Sequence, residues 1–155
     1  MSSPERPLSP AAKRPNPAAQ WLMVKGVGLH TLLYKRGIGR KMGSAVPILV
    51  TVTGRKSGKR ITVPLGTLRE GDSYVVIGSV GGADYDPQWW LNMLANPEVL
   101  VQDGDKVTRG HVDWVSDPAE RADLWRKVVT AMPNYAGYEK KTSRIIPLGR
   151  IRTLQ

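Results

Sequence analysis

The feature that most restricts this chain begins at Pro47. From there on, short runs of β-branched residues alternate with tight-turn residues, and the strand–helix rhythm of a doubly wound fold is absent. "PILVTVTG", "RITVPLGTLR" and "SYVVIGSV" read as three strands, the last two joined at Glu70-Gly71-Asp72. "GGADYDP" is a loop. Asp86-Pro87 reads as an N-cap and first-turn proline, which starts a short helix over Gln88–Ala95; Asn96-Pro97 ends it. "EVLVQDG" and "KVTRGHVDWVS" pair through a turn at Asp103-Gly104-Asp105. Asp117-Pro118 opens a longer helix to about Ala131, "MPNYAGYEKKTSR" reads as a loop or short turn, and "IIPLGRIRTLQ" as a last strand. Five or six antiparallel strands with one inserted short helix and one later helix suit a small barrel, mainly β with helices.

The chain before this region is different in kind. Residues 1–19 hold five of the twelve prolines and read as a disordered tail. Residues 20–43 carry a rough helical stripe of Trp21, Leu22, Val24, Leu29, Leu32 and Leu33 flanked by cations. Such a segment either packs on the domain as an N-terminal helix or lies on an anionic membrane surface. Residues 44–155 form the folded domain. No run of about 18 apolar residues and no secretory core is visible, so the expected compartment is the cytoplasm, with peripheral membrane association through residues 20–43 as the second option.

Charge and chemistry are lopsided. Residues 1–60 contain twelve Lys and Arg against Glu5 alone, while the remainder is close to neutral, so nearly all of the net charge of +10 sits in the first part. That field attracts an anion: nucleic acid, lipid or a polyanionic small molecule. There is no cysteine, and histidine is limited to His30 and His111. Thiol catalysis, zinc–thiolate sites and histidine triads are therefore not expected, nor is a metal. If the chain is an enzyme, a cofactor carries the chemistry.

"TGRKSGKR", residues 53–60, concentrates the charge in a turn between two strands. It reads either as a solvated hairpin or as an anion cradle of glycine N–H groups ringed by cations. Its spacing is not that of a Walker A loop.

The ordered set "VTVTGRKSGKRITVPLGTLREGDSYVVIGSVGGADYDPQWWLNMLANPEVLVQ", followed by "MPNYAGY", resembles the deazaflavin-dependent nitroreductase family over about residues 45–147. The family uses coenzyme F420, and its fold is the split β-barrel shared with flavin-mononucleotide-binding oxidoreductases. The resemblance implies that Arg55, Lys56, Ser57 and Gly58 hold the coenzyme's phosphate and glutamate tail, with Lys59 and Arg60 adding field or tail contacts. It implies that Thr62, Val63, Pro64 and Leu65 lie along the deazaflavin ring, and that the turn Gly78, Ser79, Val80, Gly81, Gly82 lets the backbone come close to the coenzyme. Trp89 and Asn92 would border the coenzyme, Asn92 either bonding it or capping local backbone. Trp90 and Tyr138 would border the acceptor, although one of the two tryptophans is expected to pack into the core while the other faces the cleft, and Tyr138 is also readable as aromatic packing. Tyr135, or Ser79, would donate to an acceptor oxygen. Lys59-Arg60-Ile61 and the basic "GRIRTLQ" depart from the family pattern.

The implied activity is hydride transfer from reduced F420 to an activated alkene, quinone or nitroaromatic. The alternatives are a flavin-mononucleotide-binding oxidoreductase of the same fold, or a basic protein that binds nucleic acid or membrane surfaces. Base-stacking aromatics are sparse in the basic segment, so nucleic acid is not the expected partner. A monomer is expected.

Overall fold

The computed structural model describes residues 45–154 and the single residue Leu32; the expectations for residues 1–19 and for the rest of 20–43 lie outside the described residues. Six antiparallel strands form a closed barrel: β1 Val46–Thr53, β2 Arg60–Glu70, β3 Ser73–Ile77, β4 Glu98–Asp103, β5 Lys106–Trp114 and β6 Leu148–Thr153. Their order around the barrel is β1-β2-β3-β6-β5-β4, and β4 pairs back to β1 through Leu49↔Gln102 to Thr51↔Leu100. Helix α1 (Gln88–Ala95) stands between β3 and β4, and α2 (Pro118–Ala131) and α3 (Asn134–Lys140) follow β5.

Period-two alternation builds two cores from the same strands. Ile48, Val50 and Val52 of β1 and Tyr74 and Val76 of β3 face the barrel interior, where Trp90 and Met93 of α1 join them. The intervening Val75 and Ile77 face outward and pack under Leu124, Trp125 and Val128 of α2. The hairpins turn where the sequence places glycine: Gly71 and Gly104 take φ of +59° and +60°. Asp117 caps α2 as expected, its carboxylate accepting from the Glu120 N–H at 2.8 Å.

Three local readings change. Asp86 does not cap α1: Pro87 occupies that position without a side-chain cap, and the Asp86 carboxylate instead meets Arg144. Strand β3 stops at Ile77, and Val80–Gly82 is a single 3-10 turn. The segment read as a loop after Met132 contains α3, whose Asn and Gly content gives little helix propensity but which packs against α2 and the 3-10 turn.

The register also opens the barrel locally. Strand β2 pairs with β1 over residues 60–67 but with β3 only over 68–70. Over residues 61–66 one edge of β2 has no strand beside it among the described residues. Pro64, which has no N–H to give a second ladder, lies in this half-paired stretch.

Candidate active site

The open edge of β2 is bounded at one end by the basic loop. Gly58 closes that loop at φ +68°, its N–H donating to the Gly54 carbonyl at 2.8 Å, and the Gly54 N–H donates to the Lys59 carbonyl at 2.8 Å. The Gly58 N–H is therefore engaged within the turn and is not aimed at a ligand. The Ser57 Oγ accepts from the Lys59 N–H at 3.2 Å. Lys56, Ser57, Lys59 and Arg60 are exposed.

Arg55 is held differently. Its backbone N–H and its Nη1 both donate to Asn92 Oδ1, at 3.2 and 2.8 Å, and its Nη2 donates to Gln88 Oε1 at 2.8 Å. These partners are neutral amides on α1. They fix the guanidinium without cancelling its charge, which suits a site that must receive an anion. Asn92, 5% exposed, thus acts on Arg55 and not on a bare stretch of helix. Sequence spacing could not show this, since 37 residues separate the pair.

At the other end the chain leaves β3 at Gly78 and turns back. Ser79 is buried in front of α3. The Tyr135 and Tyr138 rings meet edge to face, 5.1 Å apart at 67°. The Tyr135 hydroxyl is pushed above the ordinary tyrosine value, first by burial and then by Tyr138, while its hydrogen bond with Ser79 works the other way. At neutral pH it is a protonated donor. Asn134 Nδ2 donates to the Tyr138 hydroxyl at 3.0 Å, and the Lys141 Nζ lies 5.7 Å from the Tyr138 ring centroid.

The 3-10 turn and α3 are in direct contact: a Cβ on Gly82, at φ +87°, would stand 2.6 Å from the Tyr138 carbonyl oxygen. That glycine is needed on both counts. Val80 takes φ +46°, an outlier for a β-branched residue, between Ser79 and the two glycines.

The structure thus gathers Ser79, Tyr135, Tyr138 and residues 80–82 at one end of the edge, and Arg55 with the exposed cations at the other. One expectation is corrected. Trp90 is 1% exposed and belongs to the barrel interior, edge to face with Trp114 at 4.7 Å, so it cannot border an acceptor; of the two tryptophans only Trp89 is half-exposed. Val63 and Leu65 are half-buried and pack against the interior cluster, and Thr62 and Pro64 take the alternate, outward positions. Sequence reading missed Gln88, Asp86 and Arg144, whose roles rest on contacts across the chain with no local motif to mark them.

Comparison with known proteins places this arrangement. Residues 29–151 match the family described as F420H(2)-dependent quinone reductase. An F420H(2)-dependent quinone reductase of Mycobacterium tuberculosis (strain H37Rv) is 36% identical over 129 residues, covering 77% of this chain and 85% of that protein. Among solved structures, an F420-H2 dependent reductase is 41% identical with a TM-score of 0.63, covering 68% of this chain and 93% of its own. Another, described as a domain-swapped dimer, is 34% identical with a TM-score of 0.65, covering 87% and 99%. The six-strand barrel with its half-paired β2 is the split barrel expected from the sequence. The chain belongs to the F420H(2)-dependent quinone reductase family.

Proposed function

We propose that this protein reduces a quinone with reduced coenzyme F420, and that the two ends of the β2 edge divide the work. The observation that carries this reading is the combination of a half-buried, protonated Tyr135 beside Ser79 with a cation-rich loop whose Arg55 is held by neutral amides. The fit to a polyanionic coenzyme rests on the amide-held Arg55 and the exposed Lys56, Lys59 and Arg60.

Arg55, Lys56 and Lys59, with the Ser57 hydroxyl, would bind the phosphate and tail, and Asn92 would keep Arg55 in place. The backbone of residues 62–65, with the Thr62 and Pro64 side chains, would border the ring. The turn at residues 78–82 would close on it, and Trp89 would flank it. When bound, the coenzyme supplies a hydride, two electrons with one proton, and is itself oxidised. The quinone oxygen that gains negative charge takes a hydrogen bond and then a proton from the Tyr135 hydroxyl, and water returns the proton to Tyr135. Hydride plus proton converts quinone to hydroquinone. Ser79 orients the phenol, and Tyr138 walls the acceptor. Nitroaromatics and activated alkenes meet the same demand for an electron-poor acceptor that develops charge on oxygen.

The test is a fluorescence titration with oxidised F420 and with flavin mononucleotide at two salt concentrations, followed by menadione-dependent oxidation of reduced F420. Selective, salt-weakened binding of F420 with quinone turnover is expected. Preference for flavin mononucleotide, or binding of neither, would overturn the reading. We keep a cytoplasmic monomer as the working state. A relative described as a domain-swapped dimer makes sedimentation velocity its check. Liposome co-sedimentation with and without residues 1–43 tests the membrane option.

A further inference from the structure

Arg144 lies between α3 and β6 with its side chain 3% exposed. Its Nε donates to the Ala83 carbonyl at 2.7 Å, and its Nη2 to the Gly78 and Ser79 carbonyls at 3.0 and 2.9 Å. Its Nη1 meets the Asp86 carboxylate at 2.9 Å, and that side chain is itself only 10% exposed. One guanidinium therefore grips both ends of the turn that carries Ser79.

The turn is the kind that needs holding. Its centre contains Val80 at φ +46°, with Gly81 and Gly82 at +61° and +87°. A strained β-branched residue persists only where its surroundings over-determine the backbone. The planar, five-donor fork of arginine can reach three carbonyls and a carboxylate at once; an ammonium group on a flexible stem cannot. Thr142 Oγ1 adds a second tie from the same segment to Asp84 at 2.8 Å.

We propose that Arg144 is a positioning residue for the reaction: by clamping residues 78–83 it keeps the Ser79 hydroxyl against Tyr135, and Asp86 holds the clamp in its plane. This rests on the assignment of Ser79 and Tyr135 to the acceptor end of the site. It predicts an effect on turnover that exceeds the effect on coenzyme affinity, because residues 78–82 would only border the ring, while the cations that would hold the phosphate and tail lie at the far end of β2.

The test uses full-length wild type, Arg144→Lys and Asp86→Asn. Three quantities are read: amide hydrogen exchange of peptides covering 78–86 and of β4–β5, Kd for F420, and kcat with menadione. For Arg144→Lys, exchange in 78–86 should accelerate at least tenfold with β4–β5 unchanged, kcat should fall at least tenfold, and Kd should stay within threefold. Asp86→Asn should move the same quantities in the same direction by about threefold. Unchanged exchange in 78–86, or a loosened turn with unchanged kcat, overturns the proposal. Equal loosening of β4–β5 overturns it too, since that marks a general loss of stability. Should Arg144→Lys fail to fold, Asp86→Asn decides by the same criteria. If wild type does not reduce menadione, the functional reading fails, and the clamp stands or falls on the exchange measurement.

Discussion

Replacing Asn92 with alanine separates two roles that the site allows for this residue. In the structure its Oδ1 takes the Arg55 backbone N–H and Nη1 together, from a position 5% exposed. The alanine variant loses one neutral hydrogen bond, worth about 1 kcal/mol, and one charge-assisted bond, worth about 1.5 kcal/mol at its part-buried site. Gln88 still holds Nη2, so the guanidinium is loosened and not released. A loss of about 2.5 kcal/mol against an unfolding entropy of roughly 0.23 kcal/mol/K, scaled to about 110 ordered residues, lowers Tm by about 11 °C. Coenzyme affinity should fall only about threefold to tenfold, as one positioned cation becomes mobile. Differential scanning fluorimetry and a fluorescence titration read the two quantities on one preparation. A Tm fall below about 3 °C together with a hundredfold loss of affinity would refute the reasoning and make Asn92 a direct ligand of the coenzyme. Asn92→Asp sharpens the contrast. It should keep Tm, because a carboxylate still holds Arg55, yet weaken binding of an anion by cancelling its charge.

Tyr135→Phe should lower kcat by about a hundredfold, in the range of a lost proton donor, and leave Kd for F420 within twofold; stopped-flow reduction of menadione checks it. The raised Tyr135 value puts the alkaline fall of kcat above about pH 10, where an unburied tyrosine ionises. Because the folded value lies above the unfolded one, the stability due to Tyr135 is complete below about pH 10 and is lost as pH rises towards the folded value, which urea midpoints at pH 9 and above will show. Gly82→Ala drives a Cβ towards the Tyr138 carbonyl at a positive φ, so it should cost about 2 kcal/mol or more and reduce kcat at least tenfold, measured by thermal unfolding and turnover. Lys56→Ala and Lys59→Ala should each weaken F420 binding about threefold in low salt and hardly at all in 1 M NaCl, as exposed charges are screened.

The strand-and-turn grammar was readable because it is local. Gly71 and Gly104 stand where positive φ is needed, and the Val-Ile runs alternate between an interior and an α2-covered face. Asp117 before Pro118 marked α2 for the same reason. What escaped depends on long-range contact. Asp86 has the residue type and position of a cap, but Arg144, 58 residues later, takes its carboxylate. Helix α3 has weak propensity and forms against α2 and the glycine turn. Trp89 and Trp90 are adjacent and chemically identical, so only the docking of α1 into the barrel decides which is enclosed. The paired tyrosines and the basic turn were visible as patterns, and their approach to Ser79 and Asn92 was not.

The position of β6 bears on how the molecule comes together in time. It lies between β3 and β5, so both carry a bare edge until residues 148–153 arrive. The tyrosine helix and Arg144 stand just before it. The β1–β2 hairpin and its basic loop rest on neighbours in sequence, whereas the Ser79 carbonyl is held by Arg144, 65 residues further on. Without β6 the bare edges of β3 and β5 would leave the chain more open to pairing with a second chain than the closed ring does.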